Sequence, residues 1–346
     1  MVPRECSAPL KHGGDIGAAR KLFPGAPEPL VDLSTGINPF SYPLPRLDAE
    51  VFARLPEPAD VDRLAAIAAV AYAAPSADHV VAAPGLQLVL PMVAALAPRG
   101  RAAVLSPTFD EHARVAALAG HTVREVTEFP ELAEAELAIV VNPNNPDGRL
   151  IARDTLLALA DALAPGLLVV DEAFMDVAPE PAASLAAHVG RRNVVVLRSF
   201  GKFFGLAGVR LGFVLAAPEI AARLAATLGP WAVSGPALAA GAAALADTAW
   251  IAAMRARLAD TARRLDALLI AAGLEVAGGT TLFRLVRTPA AGAVFDRLGR
   301  AGIVVRRFAG HPSWLRFGLP GSETDWRRLA TALSIDAAPG VVGEER

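Results

Sequence analysis

The chain has 346 residues, 53% of them hydrophobic and 20% charged, with a formal net charge of -2. That is the profile of a globular enzyme with room for two domains; it excludes a disordered or fibrous chain, and a charge so near balance leaves no electrostatic footprint for nucleic acid. One cysteine, Cys6, excludes an internal disulfide and a cysteine-based metal site and suits a reducing cytoplasm, and the opening MVPRECSAPLKHGGD has no apolar signal core.

In chain order, the Pro-rich segment up to Pro45 reads as an arm rather than a domain. Val80 to Pro98 carries no charge, but Pro84, Gly85, Gln87 and Pro91 interrupt it, so no membrane span is expected there. The runs Ala102–Ser106, Leu137–Asn142, Leu167–Glu172, Asn193–Ser199 and Leu211–Ala216 are short, rich in β-branched residues and bounded by polar or Gly/Pro residues, as buried strands are. Helical patterns such as RDTLLALADALA separate most of them, which predicts a mainly parallel βαβ sheet with helices on both faces. Gly235 to Ala272 is helical and Ala-rich. Strands at TLFRLV, GIVVRR and WLRFGL, with a helix between the first two and another at the end, predict a small α+β domain. The expected division is an arm over 1–45, a large domain over 46–240, and a linking helix with a small domain over 241–346.

Ligands of open α/β sheets gather at the carboxyl ends of the strands. Three clusters fall there: Asp171 closing LLVVD, the turn-rich NPNNPDG after LAIVV, and SFGKFFGLAGVRLG after NVVVLR. Four glycines punctuate the last cluster, so Ser199–Gly208 reads as a loop. Phe200, Phe203, Phe204 and Leu206 surround Lys202 with apolar bulk, and a partly buried amine loses its proton readily and becomes a nucleophile.

A strand-end aspartate, an Asn-Pro-x-Gly turn before it and a Ser-x-x-Lys with an arginine eight residues beyond the lysine, in this order, resemble the fold type I pyridoxal phosphate (PLP) enzymes. The resemblance implies an α/β fold: a large domain with a mainly parallel sheet and a small α+β C-terminal domain. It makes Lys202 the lysine that bonds the cofactor and later shuttles protons, and Asp171 the partner that keeps the pyridine nitrogen protonated. Asn145 would hydrogen-bond the ring oxygen. Ser199 and Arg210 would bind the cofactor phosphate, with Gly85, Leu86 and Gln87 adding backbone donors at a helix start. Phe109 would stack on the ring.

Within that group, KHGGDIGAARKLFPGAPEPLVDLSTGINPF is similar to the opening of the threonine-phosphate decarboxylases of cobalamin biosynthesis, and the likeness extends over nearly the whole chain, DEAF and SFGKF included. It implies a homodimer whose active site lies at the subunit interface. His12 would bind substrate phosphate, Gly36 and Asn38 would line the substrate site, and Arg306 and Arg316 would hold the anions of a phosphorylated amino acid. Arg307, adjacent to Arg306, points to the opposite strand face.

Three positions depart from the related histidinol-phosphate aminotransferases: Phe174 and Leu55 stand for tyrosines, and Gly201 for a frequent serine. The expected activity is decarboxylation of L-threonine O-3-phosphate. A histidinol-phosphate-type aminotransferase would use the same cofactor residues, and the orientation of the substrate's anions would choose between the two reactions. A catalytically silent regulator of this fold would be expected to carry a basic DNA-binding domain, for which the chain has neither the charge nor the length ahead of its arm.

Overall fold

A computed structural model describes residues 13–178 and 183–333. Cys6 and His12 lie outside the described residues. The chain divides into two compact units, one of residues 37–259 with 278–282, the other of the segment ending at Gly36 with 260–277 and the residues from Phe283 on.

β1 (Val31–Leu33) comes from the segment expected as an arm and pairs in parallel with β11 (Ile303–Phe308) of the second unit. The first unit is built on β2 (Val80–Ala83), β3 (Arg101–Leu105), β4 (Thr122–Val126), β5 (Leu137–Val141), β6 (Leu167–Asp171), β7 (Val194–Ser199) and β8 (Gly212–Leu215). They form one sheet in the order β2-β8-β7-β6-β5-β3-β4, parallel except for β8, which runs against both neighbours. Every residue of β5 and β6 is buried, so each strand is apolar on both faces and shows no alternation. At the edge, β4 carries Thr122, Arg124 and Glu125 exposed, the polar dressing that discourages pairing with another chain.

Helices enter this unit where caps allow. Gly85 starts the helix Leu86–Ala94, and Ser234 starts Gly235–Ala246 by accepting from the N–H of Ala237. The helical stretch expected from Gly235 to Ala272 is two helices, Gly235–Ala246 and Thr248–Ala271, bent by 77°. Asp247 makes the break: it ends the first helix, and its Oδ1 accepts from Trp250 N–H at the start of the second. Among the described residues no single helix is long and apolar enough to cross a membrane.

The second sheet has the order β1-β11-β12-β10-β9, with β9 (Glu275–Thr280), β10 (Phe283–Arg287) and β12 (His311–Gly318). The helix Ala291–Arg300 buries Ala291, Val294, Phe295 and Leu298, the spacing that puts four side chains on one face. Burial of such a leucine or phenylalanine stabilises the fold by about 1.5–3 kcal/mol.

Candidate functional site

In the first unit the candidate residues stand at one end of neighbouring strands. Asp171 is the last residue of β6 and pairs with Val141 of β5 and Leu197 of β7; Ser199 is the last residue of β7 and pairs with Gly212 of β8. Asn145 follows β5 in a turn held from within. Asn144, fully buried, donates from Nδ2 to the carbonyl of Pro107 and to Asp147 Oδ1, and its Oδ1 accepts from Thr108 Oγ1 at 2.7 Å. The Asn142 amide clasps both backbone groups of Ile151.

Asp171 is 6% exposed, and both its oxygens are engaged: Oδ1 accepts from Ala173 N–H, and Oδ2 lies 2.8 Å from His112 Nε2. His112, buried in the first turn of the helix Glu111–Leu118, meets the edge of Phe109 at 5.8 Å between ring centroids. A carboxylate so sheltered is costly unless its charge is met, and a donated imidazole N–H meets part of it. Asp171 is thus an oriented anion suited to a cationic nitrogen.

Lys202 lies on a single helical turn, Phe200–Phe203, where the glycine pattern predicts a loop; a 3-10 turn, Ala207–Val209, follows. It is half-buried, with Nζ 5.9 Å from the centroid of the Phe174 ring, and its chain neighbours Phe200, Phe203 and Phe204 are all buried. Gly201 has a packing reason, since a Cβ there would meet the Ala207 Cα at 2.8 Å.

A cradle for a dianion is present as well. Gly85 has φ 82 and ψ 153, a conformation close to glycine's own, and a Cβ there would come within 2.7 Å of Arg210 Nη2. Arg210, exposed and with φ 58, is steadied by donation from Nη1 to the Ala207 carbonyl. The Gly85 N–H already donates to Ala83, so the free backbone donors of a helix start are those of Leu86 and Gln87. The Gln87 side chain is turned aside, Nε2 donating to Glu111 Oε2 at 2.5 Å. Helix start, glycine and guanidinium together fit a phosphate-bearing cofactor.

In the second unit Arg306 of β11 and Arg316 of β12 are register partners on one face. Arg316 is 7% exposed, and its Nη2 donates to the Ser34 carbonyl at 2.7 Å. Burial, with repulsion from Arg306 behind it, lowers its pKa to about 10 against the opposing pull of Asp32. Two guanidiniums set side by side on one strand face are an arrangement that would suit an anion. Arg307 lies instead 5.1 Å from the Phe295 ring centroid. Gly36 closes the segment that leaves β1.

Over residues 64–333 the sequence matches the family description "Aminotransferase class I and II". The chain belongs to the class I and II aminotransferase family. Within it, the chain is 46% identical over 334 residues to a threonine-phosphate decarboxylase of a Sinorhizobium species, a match covering 95% of this chain and 98% of that protein. A threonine-phosphate decarboxylase of Pseudomonas aeruginosa is 42% identical over 329 residues, covering 94% and 97%. The fold is shared with histidinol-phosphate aminotransferase from Sinorhizobium meliloti in complex with pyridoxal-5'-phosphate, at a TM-score of 0.78, 22% identity and coverage of 96% and 97%.

Beside the expected family residues the structure sets several that the sequence reading passes over. His112 is one. Behind Asp171 and Ser199, Arg198 donates to Glu172 Oε2 at 2.9 Å and to Asp176 Oδ1 at 2.5 Å, its guanidinium 4.4 Å from the Tyr72 ring centroid. Glu172 also accepts from Ser184 Oγ and Leu185 N–H; even so, burial pushes its pKa up. Asn38, expected beside the substrate, is 1% exposed with its amide bonded to backbone at both ends.

Proposed function

We propose that the protein is a PLP-dependent carboxy-lyase that converts L-threonine O-3-phosphate to (R)-1-amino-2-propanol O-2-phosphate and CO2 in cobalamin biosynthesis. The observation that carries the chemistry is the sheltered carboxylate of Asp171, oriented by His112 at the end of β6 on the strand beside the one that leads to Lys202. The substrate class rests on relatives of nearly full length that bear the name of that activity.

When bound, PLP supplies an electron sink for the pair left at Cα as a substituent departs. Asp171 holds the proton on the ring nitrogen, and Asn145 donates to the ring oxygen. Ser199, Arg210 and the N–H groups of Leu86 and Gln87 bind the phosphate, and Phe109 packs on the ring. Lys202 Nζ would anchor the resting cofactor and, when released from it by the substrate's amino group, would supply a proton to Cα. Arg306 and Arg316, with His12 and Gly36, hold the substrate's phosphate and carboxylate, and their placement decides which bond at Cα is offered for cleavage.

The enzyme works as a cytoplasmic homodimer, to which the N-terminal segment 1–45 contributes substrate contacts. The large apolar side chains of Phe52 and Leu55, 67% and 64% exposed, are surface that a second copy would cover.

The test is product analysis. Incubation with L-threonine O-3-phosphate should yield the amino-propanol phosphate by mass spectrometry. Failure to form it, together with sustained turnover of histidinol phosphate and 2-oxoglutarate, would establish an aminotransferase instead.

A further inference from the structure

A one-turn helix leaves most of its carbonyls without a helical partner. On the lysine turn and the residues just beyond it, four successive carbonyls are met by one remote segment. Asn38 N–H donates to the Lys202 carbonyl at 3.0 Å, Asn38 Nδ2 to Phe203 at 2.8 Å, Tyr42 N–H to Phe204 at 2.9 Å, and Ser41 Oγ to Gly205 at 2.9 Å. Asn38 is itself locked, its Oδ1 accepting from Phe40 N–H at 2.8 Å. Gly205, at φ 65, lets the two backbones meet, because a Cβ there would fall 2.6 Å from the Asn38 carbonyl. Rings complete the fixture: Phe204 stacks on Phe200 at 4.7 Å and on Trp250 at 5.7 Å, and Tyr42 meets the Trp250 ring edge-on at 5.1 Å.

The geometry points to Asn38–Tyr42 as a C-terminal cap that positions Lys202, with Asn38 its central positioning residue. The inference rests on the assignment of Lys202 as the cofactor lysine. The segment serves the reaction in two ways. It fixes the turn from which Nζ reaches, where a displacement of about 1 Å can cost on the order of a hundredfold in rate. It also neutralises the negative end of the turn, which left bare would favour a proton on the lysine nitrogen. Asn38 acts on the turn through backbone carbonyls, those of Lys202 and Phe203.

The experiment uses the holoenzyme and two variants. Asn38→Ala removes the side-chain bond to Phe203 and leaves the backbone donor; Ser41→Ala removes the outer, exposed bond and serves if the first variant folds poorly. Borohydride reduction of the wild type followed by peptide mapping first locates the labelled lysine. For Asn38→Ala the expected result is a kcat lower by about tenfold or more with KM within about twofold. The pH midpoint of the cofactor's visible absorption, which reports the proton on Lys202 Nζ, should move upward. Ser41→Ala should show the same changes at smaller size. A label on a lysine other than Lys202 overturns the cofactor assignment beneath the inference. A label on Lys202 with kcat and midpoint unchanged in both variants, only the melting temperature falling, leaves that assignment standing and overturns the cap's positioning role.

Discussion

His112 Nε2 donates to Asp171 Oδ2 across 2.8 Å, between two side chains that are 1% and 8% exposed. Nothing in the local sequence joins them, for they stand 59 positions apart. A hydrogen bond to a charged group contributes about 1.5–3 kcal/mol, so its loss should loosen the carboxylate proposed to pair with the ring nitrogen. His112→Phe is expected to keep the fold and to lower kcat about 10- to 100-fold with a small change in KM. Steady-state kinetics on the holoenzyme check this; wild-type kcat would make His112 a packing residue only.

Gly85→Ala tests the phosphate cradle. The new Cβ would press on Arg210 Nη2 and force alanine into a backbone conformation it resists. The expected outcome is a dissociation constant for PLP raised about tenfold or more, corresponding to about 1.4 kcal/mol. Fluorescence titration of the apoenzyme measures it, and unchanged affinity would move the phosphate elsewhere.

Arg316→Leu separates binding from stability. In the free protein burial and Arg306 disfavour the Arg316 charge, so below a pH of about 10 that charge costs stability, a cost that fades as pH rises through about 10. A bound anion reverses the balance. The variant should therefore melt no lower than wild type by more than the loss of its bond to Ser34 explains, yet its KM for substrate should rise by a factor corresponding to about 2–5 kcal/mol. Anion affinity of the wild type should fall as the pH passes about 10. Calorimetry at pH 8 and 10.5, with inorganic phosphate as probe, reads both.

Arg198→Met should be far more damaging to the fold than to any one catalytic step. It leaves Glu172 and Asp176 buried without their cation, a loss of about 3–5 kcal/mol. Adding Glu172→Gln and Asp176→Asn should return much of that stability in urea denaturation. If Arg198→Met alone unfolds at the wild-type midpoint, the buried Arg198–Glu172–Asp176 group does not stabilise the fold.

The sequence shows the centre of the first sheet better than its edges. β5, β6 and β7 are legible because both their faces are buried, which leaves unbroken apolar runs. β4 is hidden by Thr122, Arg124 and Glu125, whose polarity belongs to an edge, and β9 by Gly278 and Gly279. Lys202, Asp171, Asn145 and Arg210 stand out as candidates from their order along the chain. The helical turn under Lys202 does not, because Gly201 and Gly205 argue locally for a loop and the groups that hold the turn come from Asn38–Tyr42, about 160 positions away. Arg306 and Arg307 have equal claims as letters; the register with Arg316 and the stacking on Phe295 give them different surroundings.

The most direct test of the decarboxylase assignment counts CO2 released per active site when the holoenzyme meets L-threonine O-3-phosphate with no oxo-acid present. Decarboxylation keeps the amino group on the product and leaves the cofactor's oxidation state unchanged. The expected result is many equivalents of CO2 per site, with the visible spectrum returning to its starting form. Transamination stops when each cofactor has taken one amino group. No CO2, and a spectrum arrested in the amine form after one equivalent of substrate, would contradict the assignment.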